Sequence, residues 1–228
     1  AVHAPHHAPQ ADIEHYRGRF DAGWDAAREK ILARQKQLGV APRVAELSPR
    51  PVEIPAWDSL PPEARRLYAR QMEVFAAQLT HADREFGRIL AALERAGELE
   101  NTLVIVTSDN GASGEGGPAG TFNEMLLMNQ MEATLEQNLP LIERWGGPET
   151  YPHYAIGWAM AGNTPFQFYK QSAHEGGVHD PLVISWPRRI RARGEIRSQY
   201  HHMVDLMPTL LGQIGIPLPV EVDGIAQQ

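Results

Sequence analysis

The longest regular pattern of apolar and polar positions runs from Pro61 to Ala96 and predicts one amphipathic helix. Its apolar residues recur at steps of three and four, on one broad stripe: Leu67, Phe75, Leu79, Phe86, Ile89, Leu90 and Leu93. Ser59 is the candidate N-cap, the prolines suit the first helical turn, and Gly97 suits the position after the last turn.

Two short apolar runs, residues 103–106 and 182–185, predict β-strands. A continuous run without alternation is typical of a strand that is buried on both faces, as in a largely parallel sheet. Because the long helix leads directly into the first strand, the pattern is half of a βαβ unit and indicates an α/β fold.

Glycine and proline divide the rest of the chain. In chain order, we predict a helix over Asp12–Leu38 interrupted at Gly18 and Gly23, an ordered proline-rich loop over 39–61, a helix over 123–145, an aromatic loop over 151–169, a helix beginning near Asp205, and an extended segment over 217–228.

Composition excludes several classes of protein. The 228 residues are 43% hydrophobic and 21% charged, as in an ordinary globular domain. A net charge of −7 gives no electrostatic support for nucleic-acid binding. The absence of cysteine excludes disulfides and thiolate metal sites within these residues. No apolar run is long enough to span a bilayer, and both the cytoplasm and the bacterial periplasm remain open as compartments.

Polar residues follow the first predicted strand abruptly, and Asp109 and Asn110 stand side by side there. Ligands of open α/β sheets bind outside the carboxyl ends of strands. A carboxylate and an amide oxygen are ligands that Ca²⁺ or Mg²⁺ takes. The alternative interpretation is a tight turn, because Asn110-Gly111 is a common turn dipeptide. These residues alone leave both interpretations open.

Three separated stretches together resemble the sulfatase family, and specifically the bacterial arylsulfatases. They are T-L-V-I-V-T-S-D-N-G (102–111), N-T-P-F-Q-F-Y-K-Q-S-A-H-E-G-G (163–177), and H-A-P-H-H-A-P (3–9) with Tyr16 beyond it. A fourth stretch, V-D-L-M-P-T-L-L (204–211), is similar to the closing helix of the family. The order and separation of the stretches carry the resemblance.

The resemblance implies an alkaline-phosphatase-like α/β sandwich, with a mostly parallel or mixed central sheet flanked by helices. Residues 1–228 would form the carboxyl-terminal part of its catalytic domain, without the half that holds the nucleophile and without the small carboxyl-terminal subdomain. The implied activity is hydrolysis of small-molecule sulfate monoesters, arylsulfatase-like, by a metal-assisted mechanism with a formylglycine nucleophile.

The resemblance also implies roles for individual residues. Asp109 and Asn110 would be metal ligands, with Ca²⁺ favoured over Mg²⁺. His3 would lie near the leaving-group oxygen, and Lys170 would bind a sulfate oxygen and the leaving oxygen. A cation and an ammonium group stabilise the charge that S–O cleavage places on oxygen, and a histidine can protonate the leaving group. We interpret His174 and Glu175 as structural, with Glu175 hydrogen-bonded to the glycines of its own turn. The family pattern does not need histidine at His6 or His7.

The chain also departs from the family pattern. It contains no C/S-x-P-S-R motif, from which the formylglycine is made, and the amino-terminal aspartate pair is missing. His179 stands where the family often has arginine. We therefore expect the isolated chain to be inactive and to bind its cation weakly.

Two other functions remain open. One is hydrolysis of phosphate or phosphonate esters by an enzyme of the same superfamily. The other is a non-catalytic module that binds a partner through the aromatic segment 151–169. Exposure of Trp158 and Phe166 would favour this binding module, and their burial would count against it.

Overall fold

The computed structural model describes residues 2–227, which fall into two compact units that divide between Arg191 and Ala192. The helices of the first unit are α1 (Gln10–His15), α2 (Gly23–Leu38), α3 (Pro62–Arg95), α4 (Met125–Met128), α5 (Leu135–Asn138), α6 (Ile156–Gly162) and α7 (Glu175–Val178). Its strands are β1 (Val104–Thr107) and β2 (Leu182–Ser185), and 3-10 helices span Trp57–Ser59, Leu99–Asn101 and Leu139–Arg144.

Helix α3 confirms the prediction from periodicity. It begins at Pro62 after an extended Pro61, and Gly97 follows its C-cap in the left-handed conformation (φ +74°). The predicted N-cap was wrong, because Ser59 ends the preceding 3-10 helix and its hydroxyl donates to the carbonyl of Ala56. Two consecutive prolines fix the start of α3 instead. Proline has no backbone N–H, so it leaves no donor unpaired in the first helical turn.

The predicted interruption between α1 and α2 is confirmed. Gly18 and Gly23 both have positive φ angles, +75° and +76°. A β-carbon on Gly23 would also lie 1.9 Å from the ring of Trp57. Glycine is therefore required at Gly23 both by the backbone and by the packing.

An aromatic core joins α2, α3 and α6. The ring of Trp24 lies 4.8 Å from that of Trp57, 5.6 Å from that of Tyr68 and 5.8 Å from that of Trp158. The indole N–H of Trp158 donates to the carbonyl of Tyr68 at 2.7 Å, so its polar edge is satisfied. Segment 151–169 was predicted as a loop, but it contains α6, whose Trp158 lies in this core.

The two predicted strands form, but their pairing differs from the expectation. β1 and β2 run antiparallel, with Val104 opposite Ser185. In the part of the chain that the structure describes, they pair only with each other. Val106 and Val183 are 42% and 59% exposed, so burial on both faces is wrong for this structure. An apolar run alone cannot distinguish a parallel from an antiparallel partner.

The helix predicted over 123–145 is broken into α4, α5 and a 3-10 helix. Thr134 begins α5 with a capping box that it shares with Gln137. The buried amide of Asn138 then accepts from the N–H of Phe122 and donates to the carbonyl of Gly120. These side-chain contacts replace the hydrogen bonds of a continuous helix.

The second unit contains a 3-10 helix (Met203–Asp205), α8 (Leu206–Ile214), and strands β3 (Glu221–Val222) and β4 (Ile225–Ala226). The helix near Asp205 is confirmed, and it ends at Gly215 with φ +75°. The segment predicted as extended folds into an antiparallel hairpin, because Asp223 and Gly224 both adopt positive φ. Residues 1 and 228 lie outside the described part. Among the described helices, none is both long and apolar enough to cross a membrane.

Candidate active site

Two residues that the sequence analysis singled out separately lie together in the structure. The Nζ atom of Lys170 is 3.3 Å from Nε2 of His3. His3 is half exposed and Lys170 is one-fifth exposed, so both groups can be reached from solvent. This pair defines the centre of the candidate site.

His3 is held by a loop that crosses α3. The side-chain amide of Gln78 donates to the carbonyls of His3 and Pro5, at 3.0 Å and 3.2 Å. Nδ1 of His3 lies 3.0 Å from the carbonyl of Ala4, which fits an Nδ1–H donor. In the neutral imidazole, Nε2 is then the acceptor, and the Lys170 ammonium donates to it.

Lys170 is positioned through the side chain of Asn163. The oxygen of this amide accepts from the N–H of Ala112, while its nitrogen donates to the carbonyls of Phe168 (3.0 Å) and Gly176 (2.7 Å). The N–H of Lys170 itself donates to the carbonyl of Ala112 at 3.0 Å. Asn163 therefore ties the loop after β1 to the turn that carries Lys170.

Glu115 completes the site, although the sequence analysis did not identify it. Its carboxylate accepts from Lys170 Nζ at 2.9 Å and from the hydroxyl of Ser113 at 2.8 Å, and it lies 3.9 Å from His3 Nε2. Gln171 donates to its other oxygen at 2.9 Å. Partial burial raises the pKa of Glu115, but the hydrogen bonds from Lys170 and Ser113 outweigh it, and the net pKa is lowered.

A buried histidine supports Ser113 from behind. Nε2 of His153 is 3.0 Å from the Ser113 hydroxyl, and its Nδ1 is 3.1 Å from the carbonyl of Tyr154. Burial lowers the pKa of His153 to about 4, so the ring is neutral near pH 7. A β-carbon on Gly116 would lie 2.0 Å from the Tyr154 carbonyl, so glycine is required next to Glu115.

A second carboxylate, Glu124, lies beside the pair. One oxygen of Glu124, one of Glu115 and a ring nitrogen of His3 all lie within 4.8 Å of one another. The pKa of Glu124 is raised, mainly by burial. The charges of His3 and Lys170 lower this pKa, and the charge of the Glu115 carboxylate raises it further. Two carboxylates and an imidazole could hold a cation, but the Lys170 ammonium already lies against Glu115.

The structure places the predicted metal ligands, Asp109 and Asn110, in the exposed loop after β1. The amide nitrogen of Asn110 donates to Asp109 Oδ1 at 2.8 Å, which leaves the amide oxygen and the second carboxylate oxygen for other ligands. This donor set fits a hard divalent cation. Asp180 is a further acid nearby: burial and the charge of Asp109 raise its pKa.

One structural role predicted for the Gly-Gly turn is wrong. The Glu175 carboxylate contacts Nδ1 of His179, four residues along in α7, instead of its own glycines. The turn is fixed by close backbone approach, because a β-carbon on Gly177 would lie 2.0 Å from the carbonyl of Ser172. The ring of His179 also stacks on that of Phe166, with 4.8 Å between the ring centroids. His6 lies elsewhere, fully buried in the interior.

The comparisons with known proteins agree on one family. The sulfatase family model matches residues 1–216. An uncharacterised sulfatase of Schizosaccharomyces pombe is 32% identical over 222 residues, which are 96% of this chain and 38% of that protein. An arylsulfatase of Klebsiella aerogenes is 29% identical over 222 residues, 95% of this chain and 45% of the relative.

A mouse N-acetylgalactosamine-6-sulfatase is 30% identical over 145 residues, 63% of this chain and 20% of that protein. The chain thus spans less than half the length of each of these relatives.

Proposed function

Because this chain belongs to the sulfatase family, we propose that it carries the leaving-group part of an active site that hydrolyses sulfate monoesters. Membership confirms the resemblance found in the motifs, and it implies an α/β fold. The observation that carries the proposal is the meeting of His3 and Lys170 at 3.3 Å, from stretches 167 positions apart. Glu115 lies against Lys170 and approaches His3.

In the proposed reaction the ammonium of Lys170 stabilises the negative charge that grows on the leaving oxygen as the S–O bond breaks. His3 in its imidazolium form donates the Nε2 proton to that oxygen, which leaves as an alcohol or a phenol. The neutral His3 then exposes Nε2 as an acceptor, and it takes up a proton again from solvent. Glu115 holds the Lys170 ammonium beside His3 during these steps.

Asp109 and Asn110 are the residues that would hold a divalent cation, Ca²⁺ in preference to Mg²⁺. When bound, such a cation supplies positive charge to the non-bridging sulfate oxygens. We further propose that the nucleophile is a formylglycine outside residues 1–228, since these residues lack cysteine and the C/S-x-P-S-R motif. Residues 1–228 alone are then expected to show no turnover and weak cation binding.

The finer assignments belong to the same proposal. We propose arylsulfatase-like specificity, supported by similarity to the arylsulfatase of Klebsiella aerogenes. We also propose that β1 and β2 belong to an alkaline-phosphatase-like sandwich, because Val106, Val183 and Ile184 are apolar and exposed in this chain. The binding-module alternative has little support, because Trp158 is only 1% exposed.

The test is the rate at which the complete gene product hydrolyses 4-nitrophenyl sulfate, 4-nitrophenyl phosphate and a phosphonate monoester. We expect the sulfate to be the best substrate. His3→Ala should lower kcat by roughly 100- to 10,000-fold, and Lys170→Ala should also lower it strongly. Lys30→Ala, an exposed lysine on α2, is the matched control. Preference for either phosphorus ester, or full activity of His3→Ala, would overturn the proposal.

A further inference from the structure

The carboxylate of Glu124 has no partner in the described chain. The residue is only 7% exposed. Among residues 2–227, no group donates a hydrogen bond to its side chain, and only burial and nearby charges act on it. Its carboxylate oxygens still touch solvent, so a ligand can reach them. A ligand that covers Glu124 has to offer it a donor, because a carboxylate buried without a partner is costly.

The backbone of Glu124 is fixed in this position. Its N–H donates to the carbonyl of Tyr151 at 2.8 Å, and Asn123 forms a parallel bridge to the same residue. Thr121 forms an antiparallel bridge to His153. The backbone that carries the Glu124 side chain is therefore bonded to segment 151–153.

The charged and titratable groups that face Glu124 are His3, Glu115 and Lys170. The Lys170 ammonium lies 2.9 Å from Glu115, so this ion pair already neutralises one of the two carboxylates. With His3 neutral, Glu124 remains without a cationic partner of its own. A single hydroxyl or ammonium group therefore satisfies the cluster better than a divalent cation, which would have to displace Lys170.

We propose that Glu124, together with Glu115, forms a recognition subsite for a hydrogen-bond donor on the leaving alcohol of the substrate. This proposal rests on the proposed function, because it assigns His3 to the ester oxygen. A Glu124 oxygen lies within 4.8 Å of a His3 ring nitrogen. The donor must then be next to the sulfated carbon, and the substrate class is a sulfate monoester with a vicinal hydroxyl or amine.

The experiment compares matched sulfate esters with the complete gene product. Catechol monosulfate has a vicinal hydroxyl, guaiacol sulfate replaces it with a methoxy group, and an ortho-aminomethyl phenyl sulfate presents an ammonium group. We expect kcat/KM for catechol monosulfate to exceed that for guaiacol sulfate by about tenfold or more, since a buried acceptor left unpaired costs that much. The third ester shows whether the subsite prefers a hydroxyl or an ammonium.

Glu124→Met should remove most of this preference, because methionine offers no comparable acceptor. Glu124→Gln keeps an acceptor oxygen and should remove only part of it, whereas Glu132→Gln, at an exposed residue, should keep the full preference. Calorimetry with catechol and guaiacol gives a readout without turnover: only catechol should bind better to the wild-type protein than to Glu124→Met.

Equal kcat/KM for the two phenyl esters would overturn the subsite and leave the sulfatase proposal intact. Hydrolysis of phosphorus esters alone would overturn the sulfatase proposal. Tight binding of Zn²⁺ that disappears in Glu124→Gln would identify the cluster as a cation site and would also overturn the subsite.

Discussion

Nε2 of His3 and Nζ of Lys170 lie 3.3 Å apart, although 167 positions separate the two residues in the chain. This contact fits a neutral His3 whose Nε2 accepts from the Lys170 ammonium, and the ammonium needs a neighbouring negative charge. Glu115 supplies it at 2.9 Å from Lys170, and its own lowered pKa keeps it ionised near neutral pH. The pair and its carboxylate form one electrostatic unit, so a change in any member should alter the other two.

Glu115→Gln tests this unit. The substitution keeps the shape of the side chain but removes the charge that holds Lys170 in place. We expect kcat for sulfate ester hydrolysis to fall by roughly 10- to 100-fold, and more steeply for esters with poor leaving groups, because Lys170 is proposed to stabilise the leaving oxygen. The measurement is a series of aryl sulfates of graded leaving-group acidity, with Glu132→Gln as the control. A uniform fall across the series would argue against positioning of Lys170.

His153 should make stability depend on pH. Its folded-state pKa is about 4, below the ordinary value of 6.5, so between these values the unfolded chain binds a proton that the folded chain does not. The free energy of unfolding is therefore highest above pH 6.5. It should fall by roughly 3 kcal/mol as the pH is lowered toward 4, because protons then bind preferentially to the unfolded chain.

Chemical denaturation from pH 7.5 to 4.5 measures this decline. His153→Gln has no charge to gain and should show a shallower decline, and part of the decline should remain because burial also lowers the pKa of His6, whose ring lies 4.7 Å from that of His153. Parallel curves for the wild type and the variant would show that His153 is not the titrating group.

Asn163→Asp should loosen the turn that carries Lys170. The variant loses the two N–H donors that contact the carbonyls of Phe168 and Gly176, and it places a negative charge against them. We expect a loss of about 1–3 kcal/mol in the free energy of unfolding, measured by urea denaturation. Asn129→Asp, whose amide makes one exposed contact to Met125, is the matched control. A loss of the same size in the control would refute a specific role for Asn163.

Asp109→Ala should abolish stabilisation by Ca²⁺ in the complete gene product. A ligand at 100 times its Kd stabilises the folded state by about 2.7 kcal/mol, so the wild-type melting temperature should rise on addition of Ca²⁺. The variant should show little rise, and Asp83→Ala, an exposed aspartate on α3, should respond as the wild type does. An unchanged response of Asp109→Ala would place the cation elsewhere.

Local pattern was sufficient for several elements. The stripe at three- and four-residue steps located α3 to within one residue at each end, because an amphipathic helix needs no information about its partner. Gly18 and Gly23 marked the break before α2, since only glycine adopts those φ angles without strain. The apolar runs located β1 and β2 but not their antiparallel pairing, which depends on a second strand.

The sequence by itself determined the family, and through motif order it identified His3 and Lys170 as a related pair. Only the tertiary structure brought Glu115 and Glu124 to them, and placed Trp158 in the core. Glu115 is 55 positions from Lys170 and lies in a glycine-rich loop with no periodicity. In the sequence, a carboxylate in such a loop cannot be distinguished from an ordinary exposed acid. Its partner is distant along the chain, and only the folded structure brings the two side chains into contact.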